Sequence, residues 1–314
     1  MVLLALRPAM AQDAPDPSCF ARALPAEVRD YRLDDVKRLT GWVFDIAAAH
    51  RTPAPGDEID HHSSLSEASV PGFGGITDLG ALRGRYRVMR PPFDQGHGYY
   101  GIELGGLDDQ GAVSQIYLIN RLFRLPILFH DPAGVATDVV TVGAMLTGAR
   151  TEALADLEAA AEAAYADARG AQVPLLTVGQ SQAGGEAQLA AAYLVATHPR
   201  RSVMIGFVSL NGARANAAIR RLGLSTAQVQ GISFLKDLDP GMGPHGVMRD
   251  ALGLRVHIHP DGRGGPEAGD QTFFDALVHP SEHLLDRFMD VSLADALKNT
   301  LDGRASCDGV ASAP

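Results

Sequence analysis

Pro174-Leu-Leu-Thr-Val178-Gly179-Gln180-Ser181-Gln182-Ala183-Gly184-Gly185 is the stretch that decides the fold. An apolar run suited to a buried strand ends at a Gly-x-Ser-x-Ala pentapeptide, and an alanine-rich helical stretch begins at once. That order places Ser181 on a sharp strand-to-helix turn, a nucleophile elbow. A serine hydroxyl is a poor nucleophile unless it is exposed on such a turn within reach of a base. Gly179 lets the backbone bend, and Ala183, Gly184 and Gly185 let the helix approach the strand without Cβ clashes. Because the helix starts at the serine, its unpaired N–H groups and positive dipole end face any oxyanion formed there. The Gln182 backbone N–H is one expected oxyanion donor. With 34 glycines in the chain, the pentapeptide alone would arise by chance about 0.4 times. The flanking strand and small residues therefore carry the reading, against the plainer one in which Ser181 only caps a helix.

Outward from the elbow, strands and helices alternate. A helix is expected over Glu152 to Arg169, a strand over Pro174 to Gly179, a helix over Gly184 to Thr197 and a strand over Ser202 to Leu210. A short helix at 213–225 and strands at Gly231 to Leu235 and Leu254 to Ile258 follow. This alternation specifies an α/β fold with a mostly parallel central sheet flanked by helices. Ligands in such sheets bind beyond the carboxyl ends of the strands, where Ser181 falls. Upstream, Arg32 to His50 reads as a helix with Leu33, Val36, Leu39, Trp42, Val43, Ile46 and Ala47 on one face. Residues 12–30 read as a polar lead-in and 51–75 as a long irregular loop. Tyr99 to Leu104 and Gln115 to Asn120 read as a hairpin joined across Gly105 to Gly111.

The 314 residues, 46% hydrophobic and 20% charged, suffice for one large domain over 12–314. A net charge of −10 argues against nucleic acid as a partner. No run approaches the roughly 18 apolar residues that span a bilayer. Val2 to Leu6 with Ala9-Met10-Ala11 resembles a truncated secretory signal, so residues 1–11 are read as a signal segment, against a plain irregular start. The two cysteines, Cys19 and Cys307, would suit a disulfide tying the two ends together, and export and a disulfide support each other. Two unrelated free thiols are the other reading.

A hydrolytic serine needs an acid and a base downstream. Gly231-Ile-Ser-Phe-Leu-Lys-Asp237-Leu-Asp239-Pro240 puts two carboxylates at the end of a strand, and either Asp237 or Asp239 could orient a histidine. Histidines follow at 245, 257, 259, 279 and 283. His257 and His259 alternate in a strand-like run, where a strand-face or turn role competes with a metal role. His279 and His283 are spaced i, i+4, but Pro280 makes His279 pre-helical and no third ligand is evident, so no metal or other cofactor is expected. His283 is the preferred base, then His279 and His245.

From about Tyr99 to Phe288 the chain resembles the fungal-type (class 3) lipases and their bacterial α/β-hydrolase relatives. Val178-Gly-Gln-Ser181-Gln-Ala-Gly-Gly-Glu-Ala-Gln-Leu-Ala190 is similar to that family's Gly-His-Ser-Leu-Gly-Gly-Ala-Leu-Ala elbow and helix. Asp237-Leu-Asp-Pro240 resembles its Asp-Ile-Val-Pro segment, and His283-Leu-Leu-Asp-Arg-Phe288 its late His-x-x-x-Tyr/Phe block. The resemblance implies an α/β-hydrolase fold with Ser181 as nucleophile, Asp237 as acid and His283 as base. It also implies small-molecule or lipid ester substrates, with transient contact at a membrane surface. Gln180 stands where the family has histidine, and Ala183 stands for the second glycine. Asn120-Arg121-Leu122 replaces the family's Arg-Gly-Ser/Thr oxyanion loop, leaving a backbone N–H or the Asn120 amide as the second oxyanion donor. Residues 51–98, with Phe73, Met89 and Phe93, read as part of an acyl groove or lid, or as plain loop. A non-catalytic relative of the same fold is the competing class of function, and a histidine-rich metal protein a third.

Overall fold

A computed structural model describes residues 16–48, 52–60, 81–121, 132–237, 251–259, 264–265, 286–302, 304 and 307. Helices α1 (Pro17–Ala23) and α2 (Leu33–Ala48, entered through a π-helical turn at Val28–Arg32) precede the strand pair β1 (Glu58–Ile59) and β2 (Arg85–Val88). The hairpin β3 (Gly101–Leu107) and β4 (Val113–Asn120) comes next, then helices α3 (Pro132–Thr147) and α4 (Glu152–Ala171). The alternation continues as β5 (Leu175–Gln180), α5 (Gln182–Thr197), β6 (Ile205–Leu210), α6 (Asn216–Arg221) and β7 (Gly231–Lys236). The chain closes with β8 (Leu254–Ile258), β9 (Gly264–Gly265), α7 (Asp286–Met289) and α8 (Leu293–Asp302).

Among the described residues, nine strands form one sheet in chain order. Its centre, β4 through β8, is parallel, while β1 to β4 and the β8–β9 pair run antiparallel. The expected parallel sheet is therefore its middle five strands, with antiparallel additions on both edges. Alternation along each strand divides the core in two. Tyr117, Ile119, Leu176, Val178, Val208, Leu210, Ile232 and Phe234 face α2 and α8. Ile116, Leu118, Leu175, Ile205 and Phe207 face α4, α5 and α6. A parallel sheet covered on both faces needs this near-continuous apolar sequence, and β5 and β6 are buried at every residue.

Three local readings change. The lead-in at 12–30 contains α1, with Pro17 in its first turn and the Asp16 carboxylate accepting from the Ser18 N–H at 2.8 Å. Gly105 and Gly106 lie inside β3 rather than in the hairpin turn, which Asp108 makes by accepting from the N–H groups of Gln110 and Ala112 at 2.9 Å each. A Cβ on Gly106 would come 2.5 Å from the Arg32 Nη1, so the glycine is there for close approach. Within the expected loop, Glu58–Ile59 forms β1. Cys19 and Cys307 form a disulfide with Cα atoms 5.6 Å apart. The signal segment and Phe73 lie outside the described residues.

Candidate active site

Ser181 follows β5 and precedes α5 with φ 57° and ψ −120°. This backbone region is costly for any residue with a Cβ and persists only where the surroundings over-determine it. Here they do: the Ser181 N–H donates to Leu210 O at 2.9 Å, and its carbonyl accepts from Gly184 N (3.1 Å), Gly185 N (3.3 Å) and Ala213 N (2.9 Å). One peptide thus ties the elbow to the ends of both β6 and α5.

The neighbouring glycines make the turn possible through space rather than through their own dihedrals. A Cβ on Gly179 would lie 2.2 Å from the Ala183 carbonyl carbon and oxygen. One on Gly184 would lie 2.6 Å from Gly212 Cα, and one on Gly185 2.8 Å from Ala213 O. The first turn of α5 therefore sits against backbone on two sides, and Ala183 is fully buried where the resembled lipases carry glycine. Gln182 heads α5, so its N–H has no acceptor within the helix. Its side chain is buried and donates from Nε2 to Glu186 Oε1 at 2.7 Å.

Asn120 ends β4, the strand beside β5. Its Oδ1 accepts from the Tyr99 hydroxyl at 2.8 Å, its Nδ2 donates to Val178 O at 3.0 Å, and it has no exposed surface. Burial, followed by the charges of Glu186 and Asp156, pushes the Tyr99 hydroxyl well above the ordinary tyrosine range and keeps it a donor. The Asn120 side chain thus links β4 to β5 through Val178 and to Tyr99, the residue two before β3.

Asp237 leaves β7 and is nearly buried, 6% exposed. Its N–H donates to Ile258 O at 3.1 Å. His257 Nδ1 lies 2.8 Å from Oδ1, and His259 Nδ1 lies 2.5 Å from Oδ2. A carboxylate only accepts, so both imidazoles donate from Nδ1. Among the described residues no group of three or more His, Cys, Asp or Glu is arranged to hold a metal ion. This pair was not given an acid-binding role by sequence reasoning. Its signal, histidines two apart at the end of the strand next to that of Asp237, becomes readable only once β7 and β8 are known to be neighbours.

The register Gln180–Leu210–Phe234–Val256 runs straight across β5, β6, β7 and β8. Ser181 and Asp237 therefore both lie past the carboxyl ends of strands two spacings apart, about 10 Å at the usual strand separation. Asn211, between them at the end of β6, adopts φ 44° and accepts from the Lys236 N–H at 2.9 Å through Oδ1. That bond fixes the path by which β7 reaches Asp237. Asp239, His245, His279 and His283 lie outside the described residues.

No family model matches the chain, and no curated protein matches it in sequence. Among solved structures, the extracellular lipase LipA from Serratia marcescens is similar over 64% of this chain and 36% of its own length, at 14% identity and a TM-score of 0.37. The chain thus spans about a third of that lipase, and similarity at this level assigns it no activity.

Proposed function

We propose that the chain is a serine hydrolase of carboxylic esters, including acyl lipids, working through an acyl-enzyme. The observation that carries this reading is the backbone of Ser181, held at φ 57° by four hydrogen bonds between a buried strand and a glycine-packed helix. Strain of this kind has a use where a hydroxyl must stand clear of the fold.

In the reaction, Ser181 Oγ attacks the ester carbonyl carbon as His283 takes its proton. The Gln182 N–H donates to the resulting oxyanion. His283 then protonates the departing alcohol, and a water activated by the same imidazole hydrolyses the acyl-serine. Asp237, the acid that the class 3 lipase resemblance implies, orients the imidazole. The class 3 lipase resemblance supports acyl chains as the substrate class, and the Cys19–Cys307 disulfide supports an oxidising compartment, the periplasm or outside the cell.

The test is mass spectrometry of the intact protein after reaction with a fluorophosphonate, beside a Ser181→Ala control. A single adduct on Ser181, absent from the control, is expected. A folded protein that takes up no adduct would overturn the reading in favour of a non-catalytic protein of this fold.

A further inference from the structure

The backbone of Ser181 is held from two sides, and one buried side chain grips both. The Ser181 carbonyl accepts from Gly184 N and Gly185 N in the first turn of α5, and from Ala213 N in the connection after β6. The carbonyls of Gly184 and Ala213 in turn accept from Gln188 Nε2, at 3.2 Å and 3.3 Å, and Ser209 Oγ accepts from it at 3.3 Å. We infer that Gln188 is a positioning residue for Ser181, keeping the donors to its carbonyl at the spacing that the elbow requires. The inference rests on the reading of Ser181 as the nucleophile of a serine hydrolase.

The partners of the amide fix its orientation. A backbone carbonyl only accepts, so the nitrogen of the side chain faces Gly184 and Ala213, and not its oxygen. Gln188 has no exposed surface, so bulk water does not compete for those acceptors. Glycines shape its place on both sides. A Cβ on Gly212 would come 3.0 Å from Nε2 and 1.9 Å from Ser209 Oγ, and one on Gly184 would come 2.7 Å from the same hydroxyl. The first turn of α5 and the connection after β6 thus approach closely enough for one amide to span them.

Packing alone does not account for a glutamine here. Its Oε1 is buried with no partner among the described residues. An orphaned buried amide oxygen lowers stability, and methionine, of similar volume, would fill the space without one. What methionine lacks is a donor for the two carbonyls. Ser181 stands at φ 57°, in a backbone region that persists only while its surroundings over-determine it. Loosening the peptides that hold its carbonyl therefore displaces Oγ while the rest of the fold stands. Misplacing a reacting group by about 1 Å costs on the order of a hundredfold in rate.

The experiment compares Gln188→Met and Gln188→Glu with Thr177→Val. Thr177 is the control: its buried hydroxyl donates to Ala187 O at 2.6 Å and to Gly206 O at 3.3 Å, so it ties α5 to the sheet away from Gly184 and Ala213. Glutamate keeps the shape of glutamine, donates through its O–H while protonated, and repels both carbonyls once ionised; burial raises its carboxyl. Each variant is assayed from about pH 6 to pH 9 for kcat and KM on a short-chain p-nitrophenyl ester, for the rate of fluorophosphonate labelling at Ser181, and for its urea midpoint. Rates are taken relative to wild type at the same pH, which cancels the titration of the base. Gln188→Met is expected to lose about ten- to a hundredfold in kcat and in labelling rate at every pH, with KM within about threefold. Thr177→Val is expected to lower the urea midpoint and keep wild-type rates. Gln188→Glu is expected to exceed Gln188→Met by about tenfold at pH 6 and to fall to its level by pH 9. At pH 6 it keeps the test open if Gln188→Met does not fold.

Wild-type rates in folded Gln188→Met would overturn the inference and leave the proposed function standing. Losses shared by Gln188→Met and Thr177→Val, each in proportion to its urea midpoint, would also overturn it, since a purely structural role predicts that. A relative rate of Gln188→Glu that does not change with pH would overturn the donor role. A wild-type protein that does not label at Ser181 would overturn the proposed function and the role of Gln188 with it.

Discussion

The backbone of Ser181 can be tested without any substrate. At φ 57° and ψ −120° a residue with a Cβ carries on the order of 1–3 kcal/mol of conformational cost, and glycine carries almost none. Ser181→Ala removes the hydroxyl and keeps the Cβ; Ser181→Gly removes both. The difference between the two variants therefore cancels every contribution of the hydroxyl and isolates the backbone. Against the relief of strain stands the larger entropy of glycine in the unfolded chain, about 0.5–1 kcal/mol. The net expectation is that Ser181→Gly is more stable than Ser181→Ala by about 0.5–2 kcal/mol. Urea unfolding of both, followed by circular dichroism and analysed with a common m-value, measures this directly. At an ordinary helix N-terminus, where Ser181 would take extended or helical dihedrals, the sign reverses and alanine is the more stable. Equal stability, or greater stability of Ser181→Ala, would refute the elbow and with it the reason for calling Ser181 a nucleophile.

The glycines of the elbow divide from glycines elsewhere in the same way. Gly184→Ala, whose Cβ would meet Gly212 Cα at 2.6 Å, is expected to lose about 1–3 kcal/mol, whereas Gly170→Ala in α4, with nothing within 4 Å, is expected to gain about 0.5–1 kcal/mol; the same urea titration reads both. Glu103 is fully buried, and that burial, with Asp167 beside it, raises its carboxyl to about 8 despite the Arg90 guanidinium. A folded-state acid above its unfolded value means that the folded state holds the extra proton, so stability is full below about pH 4.5 and falls as pH rises toward 8. Glu103→Gln should flatten that slope by about 1.4 kcal/mol per pH unit across the interval, and an unchanged slope would refute the assignment. The Cys19–Cys307 bond closes a 288-residue separation, for which chain entropy gives about 5–6 kcal/mol. Reductant, or a double Cys→Ser variant, should therefore lower the urea midpoint clearly, and an unmoved midpoint would refute that entropy argument.

The central fold was legible because its signals are local. β5, α5 and β8 are long apolar or alanine-rich runs with glycine at their ends, and they stand within two residues of the positions read from periodicity. The additions at the edges were not legible for equally physical reasons. β2 is four residues, Arg85-Tyr-Arg-Val88, with two arginines, and only pairing with β3 makes it a strand. α3 carries Val139 and Val140 exposed, 57% and 59%, and a single charged residue, Asp138, so it shows no amphipathic stripe from which a helix could be read. α1 had a signal, Asp16 before Pro17, that the polar composition around it concealed.

The candidate site divides along the same line between local and long-range information. The elbow is one contiguous peptide, and each of its glycines finds its reason within a few residues in sequence or one strand away. The surroundings of Asp237 cross a sheet. The two donors that hold Asp237 stand 20 and 22 residues downstream, and only the β7–β8 register brings them within 2.8 and 2.5 Å. Asn120 shows the same division: its place at the end of β4 is local information, whereas its bonds to Tyr99 and to Val178 O in β5 come from the sheet. A serine on such an elbow can be read from one peptide, whereas the contacts of Asp237 are set by the pairing of two strands far apart in sequence.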